Sequence, residues 1–377
     1  MVAPRRGAPI DQEKMRAMSQ TVRIALDLMG SDEGPEMLVA GASRVRQQRP
    51  DIRYVLYGRE SEVVPLLDRY PGVRDFSTFH HTDVAVKMED KPSQALRAGR
   101  WKSSMWLAIE AVKKKEADVA VSAGNTGALM AMATFCLRPM AGIERPALAV
   151  IWPNARGASI VLDVGSMPGA DARRLTDLCV MGASMARIVF DIDKPLVGLL
   201  NVSVGEMKGL EPLREAGAML RQANLSDLDY VGFIEGDDIG MGSVDVVVTD
   251  GFTGNVALKT AEGTAKQAFS YLRSSMNRTL LRKIGFLFAR RAFEELRAKA
   301  DPRKFNGGVF LGLNGVVVKS HGKTDEVSFA SAVEVADDMA RYNLLDLVQA
   351  SLSATALVSA RTAFAAGSRR AEEAAAP

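Results

Sequence analysis

The sequence predicts an α/β protein with a Rossmann-like, three-layer α/β/α architecture and a largely parallel sheet. Short apolar runs alternate along the chain with longer segments that carry helical spacing of apolar residues. The 377 residues are 47% hydrophobic and 25% charged, which is typical of a soluble globular protein. No internal repeat and no Pro/Gly-rich linker divides the chain, so we expect one continuous α/β domain at 21–360.

The predicted elements begin with the strand TVRIALDL, which runs into a Gly-Ser-Asp-Glu-Gly-Pro loop and then a helix. Each later strand is a similar short apolar run bounded by turn residues. Strands are predicted at 21–28, 52–57, 119–121, 147–151, 159–163, 196–200, 230–234, 244–248 and 315–319. Helices are predicted at 36–48, 61–69, 92–116, 127–139, 171–190, 209–223 and 254–280, with another after residue 325.

Three segments are predicted to lie outside the domain core. Residues 1–20 are basic but contain no apolar run, which indicates a flexible extension and not a secretory signal. The Ala-rich residues 361–377 predict a flexible tail. Residues around 270–300 predict a protruding amphipathic helical segment, and no apolar stretch approaches the roughly 20 residues that span a bilayer.

Composition excludes several classes of protein. A net charge of +3, from 48 basic and 45 acidic residues, does not call for a nucleic-acid partner. The two cysteines, Cys136 and Cys179, lie far apart and predict buried thiols in a reducing cytosol, with no zinc ribbon. Three histidines, no HExxH and no G-x-S-x-G elbow argue against a zinc protease and a Ser-His-Asp hydrolase.

Three predicted strands end in loops of one design, at 122–127, 249–255 and 320–325, and each loop leads into a helix. Parallel strands present such loops at the carboxyl edge of the sheet, so we expect the three to meet there. Glycines permit close approach, and the N–H groups of a helix start suit an anion. The pattern indicates a site for phosphate or a polarised carbonyl, although good helix caps and tight turns have the same composition.

Candidate site residues come from these loops and from neighbouring strand ends and helix starts. His321 has two open roles, orienting a turn or transferring a proton. Arg100 and Lys102, at a helix start, are candidates to bind phosphate or are simply a solvated basic turn. The full set is Asp27, Gly30, Arg100, Lys102, Ser103, Ser104, Ser122, Gly124, Asn125, Thr126, Asp163, Asp250, Thr253, Gly254, Asn255, Asn314, Lys319 and His321.

Nine blocks of this sequence resemble the bacterial acyl-acyl-carrier-protein:phosphate acyltransferases of the PlsX type. They occur in order and cover about residues 21–345, and SAGNTGALMA and DGFTGNVALKT are the most specific. The blocks are IALDLMGSDEGP, KPSQALR, SSM, ADVAVSAGNTGALMA, GIERPALA, VLDVG, VGLLNV, DVVVTDGFTGNVALKTAEG and GLNGVVVKSHG.

The resemblance implies an enzyme in which inorganic phosphate attacks the thioester of acyl-acyl carrier protein. The products would be acyl phosphate and free carrier protein, for phospholipid synthesis. It also implies a fold similar to isocitrate and isopropylmalate dehydrogenases and to phosphotransacetylase. A homodimer without cofactor or metal is expected, in the cytoplasm and at the inner face of the cell membrane.

The chemistry of the residues fits that reaction. Phosphate is already a nucleophile at neutral pH, so the protein has to align it with the thioester and stabilise the developing oxyanion. Lys208, in VGEMKG after a strand, matches the family's lysine and is our candidate to neutralise phosphate charge or polarise the carbonyl; a solvated loop lysine is the alternative. Three positions depart from the family pattern: Ser31 where a second Gly is usual, Met167 for Asn, and Leu210 for Asn.

Residues 278–296 combine bulky apolar side chains with arginines and lysine. Such a segment can lie on an anionic membrane, dock the acidic carrier protein, or pack at a dimer interface. The resemblance favours peripheral membrane association. The predicted contact residues are Leu280, Arg282, Lys283, Ile284, Phe286, Leu287 and Arg290.

Two other functions stay open from the sequence. One is a phosphotransacetylase or a nicotinamide-dependent dehydrogenase of similar fold, although Gly240 and Gly242 lack the third glycine of a dinucleotide-binding loop. The other is a non-catalytic scaffold that recruits carrier protein to the membrane, which the departures at Met167 and Leu210 leave possible.

Overall fold

The computed structural model describes residues 20–165, 169–279, 282, 288–291 and 301–355. Its described strands form one sheet of eleven, in the order β3-β2-β1-β4-β11-β10-β5-β6-β9-β7-β8. The strands are β1 (Arg23–Asp27), β2 (Arg53–Gly58), β3 (Ser77–His81), β4 (Val119–Ser122), β5 (Ala147–Asn154), β6 (Gly157–Leu162), β7 (Leu196–Leu200), β8 (Asp229–Ile234), β9 (Val246–Val248), β10 (Gly308–Leu311) and β11 (Val316–Lys319).

Helices cover both faces of this sheet, as the amphipathic segments predict. They are α1 (Pro35–Gln48), α2 (Glu60–Arg69), α3 (Pro71–Arg74), α4 (Pro92–Gly99), α5 (Ser104–Lys113), α6 (Thr126–Leu137), α7 (Ala172–Phe190), α8 (Glu211–Ala223), α9 (Gly236–Met241), α10 (Gly251–Asn277) and α11 (Glu326–Arg341). A 3₁₀ turn spans Pro302–Phe305, and residues 344–355 are helical.

Two apolar layers hold the helices to the sheet. Ile24 and Leu26 of β1 belong to one layer and Ala25 to the other, because successive strand residues point to opposite faces. The first layer includes side chains of α1, α7 and α11, and the second includes those of α5 and α6. The predicted three-layer α/β/α class is therefore confirmed.

The sheet consists of two parallel halves that run in opposite directions. One half contains β1 to β4 and β11, and the other contains β6 to β9. Between them lie three antiparallel pairings, β11 with β10, β10 with β5, and β5 with β6. Three reversals invert the strand direction. The carboxyl ends of β1, β4 and β11, here the first edge, therefore point one way, and those of β6, β7 and β9, here the second edge, point the other way. Because β10 pairs with β5 at 147–149 and β6 pairs with it at 150–154, the two sets of strand ends lie at neighbouring levels of β5.

This topology bears on the expectation that the three loops meet at one edge of a parallel sheet. The loops at 122–127 and 320–325 share the first edge, but the loop at 249–255 follows β9 and lies at the second edge. That all three loops contribute to one site stays a prediction, and its reason changes, because the strands before them do not all point the same way. Strand β10, which was not predicted, introduces two of the three reversals.

Two further differences concern local structure. The helix predicted at 92–116 is two helices, α4 and α5, because the chain turns sharply at Trp101, where φ is +64°. Strand β3 was not predicted, because its STFHH sequence is polar and three of its five side chains are exposed. The proposed extension at 1–20, apart from residue 20, and the tail at 361–377 lie outside the described residues.

Candidate functional site

A buried polar cluster lies at the first edge, where β1 and β4 end side by side. The Asp27 carboxylate accepts a hydrogen bond of 2.6 Å from the Ser122 hydroxyl and one of 3.1 Å from the Met29 amide. The Ser122 hydroxyl in turn accepts from the Gly124 amide at 3.1 Å. Asp27 is only 1% exposed, and burial raises the pKa of its carboxyl. The residues predicted in these two loops are therefore brought together.

Two glycines let the loops of this cluster touch. A Cβ on Gly30 would stand 2.7 Å from the Asp27 carboxylate and 2.7 Å from the Gly124 amide nitrogen. A Cβ on Gly124 would stand 2.4 Å from the Met105 side chain. A larger residue at Gly30 would force the β1 and β4 loops apart, whereas one at Gly124 would first displace the end of the Met105 side chain.

Lys319 brings a buried cation to the same edge. It pairs with Ser122 across β11 and β4, and it is 8% exposed. Its ammonium group donates to the Ala123 carbonyl at 3.4 Å and to the Ser320 carbonyl. Burial lowers the pKa of Lys319 to about 8, although the carboxylates of Asp27 and Asp32 raise it in part. Lys319 is therefore mainly charged at neutral pH and becomes neutral above about pH 8.

The start of α6 adjoins this lysine. Asn125 caps the helix by accepting from the Ala128 amide at 2.9 Å, and its side-chain amide donates to the Met88 and Asp90 carbonyls at 2.5 and 3.0 Å. Asn125 therefore holds the 88–90 segment against α6. Within the described part of the chain, no group accepts from the backbone amides of Thr126 and Gly127, so a neutral cap leaves two donors at a positive helix end.

The turn at 100–104 leads into α5 and borders the buried polar cluster of the first edge. Ser103 caps α5 by accepting from the Trp106 amide at 3.2 Å, and Ser104 is 1% exposed with its hydroxyl next to Asp27. The Arg100 guanidinium lies 3.8 Å from the Trp101 ring centre, and Lys102 is exposed. Ser103 and Ser104 thus border the buried cluster, whereas Arg100 is stacked on an aromatic ring.

The 320–325 loop is held by a residue that the sequence reasoning missed. Asn306, 2% exposed, donates to the Ser320 hydroxyl at 2.7 Å and to the Ser328 carbonyl at 2.8 Å, and it accepts from the His321 amide at 3.1 Å. His321 is exposed as a residue, but partial burial of its imidazole lowers the pKa of that group. The sequence signal that could have identified Asn306 is its position directly before a Gly-Gly pair.

The second edge carries a separate polar cluster, built around Asp163. Its carboxylate accepts from the Leu148 and Gly165 amides at 3.1 and 3.2 Å and lies 3.4 Å from the Arg174 guanidinium. Asn255 donates to the Val164 carbonyl at 3.1 Å. A Cβ on Gly254 would stand 2.0 Å from the Asp163 carbonyl oxygen, so the start of α10 packs directly on this loop.

Asp250 caps α10 with a charged group. It accepts from the Phe252 and Thr253 amides at 3.0 and 3.2 Å and from the Thr253 hydroxyl at 2.5 Å. Burial acts to raise the pKa of Asp250, but these hydrogen bonds outweigh it and hold the pKa below the usual value. The donors of this helix start are therefore occupied by the protein's own carboxylate.

Lys208 lies on an exposed loop after β7, at the second edge. Asn201, which the sequence reasoning also missed, shapes this loop: its side-chain amide donates to the Lys208 carbonyl at 3.0 Å. Gly209 has φ +92°, and a Cβ there would stand 2.0 Å from the Asn201 side chain. The loop backbone is thus fixed while the Lys208 side chain stays in solvent.

Asn314 lies in the turn between β10 and β11 and performs a local structural task. Its side-chain amide donates to the Arg138 and Pro139 carbonyls at 3.1 and 2.8 Å, which ties this turn to the end of α6. It is therefore placed away from the first-edge cluster.

A cavity of about 360 Å³, not anticipated from the sequence, opens at the start of α7. Arg174 lines it and connects it to Asp163. Burial raises the pKa of Asp177 in its wall to about 6. Five of the eight lining residues are charged, and the lining consists of Gly142, Ile143, Glu144, Asp171, Arg173, Arg174, Asp177 and Met181.

Most of the predicted membrane-contact segment lies outside the described residues, namely Leu280, Lys283, Ile284, Phe286 and Leu287, as does Met167. Arg282 and Arg290 are described and exposed. None of the described helices has the length and apolar character needed to traverse a bilayer. The same residues contain no group of three or more His, Cys, Asp or Glu side chains arranged to hold a metal ion.

Comparison with known proteins gives the chain its family. Residues 22–346 match the family described as fatty acid synthesis protein. The chain is 61% identical to the phosphate acyltransferase of Chelativorans sp. (strain BNC1), over 88% of this chain and 95% of that protein. It is 59% identical to the phosphate acyltransferase of Sinorhizobium fredii, over 88% of this chain and 96% of that protein.

Solved structures show a related fold at low sequence identity. A phosphotransacetylase from Streptococcus pyogenes has a TM-score of 0.58 at 17% identity, covering 87% of this chain and 96% of that chain. The EutD phosphotransacetylase from Staphylococcus aureus has a TM-score of 0.55 at 16% identity, covering 87% and 97%. The chain therefore belongs to the fatty acid synthesis protein family, and the prediction of a phosphate acyltransferase is confirmed.

Proposed function

We propose that the chain transfers the acyl group of acyl-acyl carrier protein to inorganic phosphate, which yields acyl phosphate and free carrier protein. The observation that carries the phosphate half of this proposal is the buried Lys319 beside the start of α6. A small dianion at that point would meet a cation, two backbone N–H groups and a helix dipole of favourable sign.

The first edge suits phosphate better than the second because of the charge at each helix start. Neutral Asn125 caps α6, whereas ionised Asp250 caps α10 and occupies its donors. Asp163 adds a second carboxylate at the second edge, although Arg174 is near it. A phosphate there would face the ionised Asp250 and the Asp163–Arg174 ion pair, so we propose the first edge as the phosphate site.

The proposed reaction is a nucleophilic acyl substitution. A phosphate oxygen attacks the thioester carbonyl carbon, the C–O bond forms, and the carbonyl oxygen becomes an oxyanion. The oxyanion then collapses, the C–S bond breaks, and the thiolate of the carrier arm leaves and takes a proton from water. Backbone amides at a helix start can stabilise the oxyanion without reorganising, which is the usual source of catalysis in acyl transfer.

Lys208 and Asn255 remain proposed participants at the second edge. Lys208 is exposed and has a fixed loop backbone, so its ammonium group is available to a substrate phosphate or to a thioester carbonyl. Asn255 is committed in part to the Val164 carbonyl. Kinetics can separate their role from that of Lys319. Changes at Lys208 or Asn255 should affect the reaction with the acyl donor, whereas changes at Lys319 should affect the KM for phosphate.

The direct test uses palmitoyl-acyl carrier protein with phosphate. Free carrier thiol and acyl phosphate, trapped with hydroxylamine, should appear in equal amounts and only when phosphate is present. Thiol release that ignores phosphate would indicate a thioesterase, and carrier binding without turnover would indicate a scaffold.

Peripheral membrane association is part of the proposal, and the basic amphipathic segment at 278–296 supports it. Phe288 is 86% exposed, and Arg282 and Arg290 flank it on exposed positions. Replacing Arg282, Lys283, Arg290 and Arg291 by Glu should release the protein from anionic vesicles in a flotation assay. Unchanged flotation would remove this segment from the membrane contact.

A homodimer is also proposed. Exposed apolar side chains concentrate around the second edge, and β8 is an edge strand whose Val231 is 49% exposed. Surfaces of this kind usually meet another protein. Val231→Lys should convert the dimer to a monomer in light scattering, and a monomeric wild type would refute the proposal. The exposed side chains of this region are Val202, Val204, Met207, Leu210, Met219, Val231, Met241, Phe252 and Val256.

A further inference from the structure

One peptide group connects Asn306 to Lys319. The carbonyl of this group belongs to Ser320 and accepts a hydrogen bond from the Lys319 ammonium group. Its N–H belongs to His321 and donates to the Asn306 side-chain oxygen at 3.1 Å. The peptide bond is trans, so the carbonyl and the N–H point to opposite sides of one rigid plane. Asn306 and Lys319 therefore hold the two ends of the same peptide plane.

Asn306 is itself firmly held. The residue is buried, and its amide nitrogen donates to the Ser320 hydroxyl at 2.7 Å and to the Ser328 carbonyl at 2.8 Å. A carbonyl can only accept a hydrogen bond, so the amide nitrogen must face Ser328 and the amide oxygen must face the His321 N–H. Rotation of this side chain would leave buried donors and acceptors unpaired, which is strongly unfavourable. Asn306 therefore presents a fixed acceptor to the 320–325 loop.

The Ser320 carbonyl in turn fixes the position of the Lys319 ammonium group. A lysine side chain is flexible, so its charged end lies where its hydrogen-bond acceptors hold it. Within the described part of the chain, two backbone carbonyls do this, that of Ala123 at 3.4 Å and that of Ser320. They leave the third N–H of the ammonium group for an anion. If the Ser320–His321 peptide rotated, one of the two acceptors would turn away and the charge would move.

We propose that Asn306 is a positioning residue for the phosphate half of the reaction: it fixes the Ser320–His321 peptide, and this peptide holds the Lys319 ammonium group beside the start of α6. The inference rests on the proposed function, in which Lys319 binds phosphate. Asn306 does not itself meet the substrate, because it is buried and its polar atoms are occupied within the protein. Its loss should therefore weaken the use of phosphate and leave the use of the acyl donor unaffected.

A purely structural role of Asn306 is the alternative, and Ser331 offers the matched control for it. Ser331 is buried on α11, and its hydroxyl donates to the Lys304 carbonyl at 2.9 Å. This bond ties α11 to the 3₁₀ turn that ends one residue before Asn306, but it does not involve the Ser320–His321 peptide. Ser331→Ala should therefore lower the Tm through the same region without changing the kinetics for phosphate.

The test is a double-mutant cycle of Asn306→Ala and Lys319→Met, with kcat/KM for phosphate as the readout. Alone, Asn306→Ala should lower this constant about tenfold, since a displacement of about 1 Å in a binding group can cost up to about 10²-fold. The KM for palmitoyl-acyl carrier protein should stay within about twofold of the wild-type value. In the Lys319→Met background, Asn306→Ala should have no further effect, because the group that Asn306 positions is absent.

The pH profile gives a second readout that a structural role would not shift. Burial lowers the pKa of Lys319 to about 8, and loss of a hydrogen bond to its charged form would lower the pKa further. In Asn306→Ala the KM for phosphate should therefore begin to rise at a lower pH than in the wild type, whereas Ser331→Ala should keep the wild-type profile. The ionisable groups that interact electrostatically with Lys319, all unaltered in these variants, are Asp27, Asp32, Lys259 and His321.

Three results would overturn the proposal: an equal fold-loss from Asn306→Ala in both backgrounds, a loss of the same size in Ser331→Ala, or a wild-type pH profile in Asn306→Ala. If Asn306→Ala does not fold, Asn306→Ser, whose hydroxyl keeps one polar group in the site without replacing the amide, takes its place in the cycle with the same expectations. If the wild type releases thiol without phosphate, the proposed function fails instead. If Lys319→Met leaves kcat/KM for phosphate unchanged, the proposed phosphate site fails, and the role of Asn306 fails with it.

Discussion

The two edges of the sheet are built from similar sequence but differ in charge. At the first edge, Ser-Ala-Gly-Asn-Thr-Gly follows β4, and a neutral Asn125 caps α6 beside the buried Lys319. At the second edge, Thr-Asp-Gly-Phe-Thr-Gly-Asn follows β9, and an ionised Asp250 caps α10 near Asp163. A Gly-rich helix start is therefore not by itself an anion site. The residue that caps it and the charge beside it decide whether its donors are free.

Helix α10 connects these two edges. Its first turn packs on the Asp163 loop, and the charges of Lys259 and Lys266 reach His321. This arrangement places the proposed phosphate site and Lys208 at the ends of strands that point in opposite directions, and helix α10 runs from one set of strand ends toward the other. Five measurements would break or sharpen this division.

The largest effect is expected from Lys319→Met, which removes the buried charge and keeps the side-chain length. The kcat/KM for phosphate should fall about 10³-fold, because a fixed charge in a desolvated site stabilises an anion strongly. Steady-state kinetics with varied phosphate measure this, and Tm checks that the fold survives. A phosphate KM within about twofold of the wild-type value would move phosphate away from the first edge.

Lys208→Ala is expected to lower the rate about 10²-fold, because one positioned cation would be lost from the transition state. Its control is Glu206→Ala on the same exposed loop, which should leave the rate unchanged. The loss should appear with saturating phosphate, in contrast to the Lys319 variant. A near-normal rate would exclude the second-edge lysine from the mechanism.

The pH dependence of the KM for phosphate tests the role of the first edge independently of the second. The pKa of Lys319 is lowered to about 8, so its ammonium group is mainly present at pH 7 and mainly lost at pH 9. The KM for phosphate should therefore rise about tenfold between these pH values. A KM for phosphate that stays constant between pH 7 and pH 9 would argue against a role of Lys319 in phosphate binding.

The same shift predicts the sign of a stability change. The folded pKa lies below the model value of 10.5, so the unfolded chain binds more protons between about pH 8 and 10.5. The contribution of Lys319 to the free energy of unfolding should therefore increase with pH in that window. Chemical denaturation of the wild type and Lys319→Met should show this increase in the wild type alone.

The smallest effect concerns the two helix caps. Asp250→Ala and Asn125→Ala should each lower the free energy of unfolding by about 1 kcal/mol, since each removes a side-chain acceptor from a helix start. Only the Asp250 contribution should decline at low pH, as protonation removes its charge. Equal acid sensitivity in both variants would contradict the charge difference between the edges.

Much of the fold and part of the site were predictable from sequence periodicity and local composition. The apolar runs of β1, β4, β7 and β11 and the amphipathic helices have clear periods, and Asn125 and Asp250 were recognisable as helix caps. Asp27, Ser122, Gly124 and Lys319 were selected as candidates because they lie at the ends of strands or in the loops after them. Asn201 and Asn306 were missed, because their hydrogen-bond partners lie 7 to 22 residues away along the chain.

The sequence by itself determined the fold class, the family and the positions of the strand-end loops, since each depends on residues that are close along the chain. Only the tertiary structure decided which loops share an edge. That outcome depends on the pairing of β10 with β11 and β5 and of β5 with β6, which reverses the strand direction three times. Pairing of this kind arises from contacts between segments that are distant along the chain. The residue pattern of a single strand does not indicate whether that strand will pair in a parallel or an antiparallel direction.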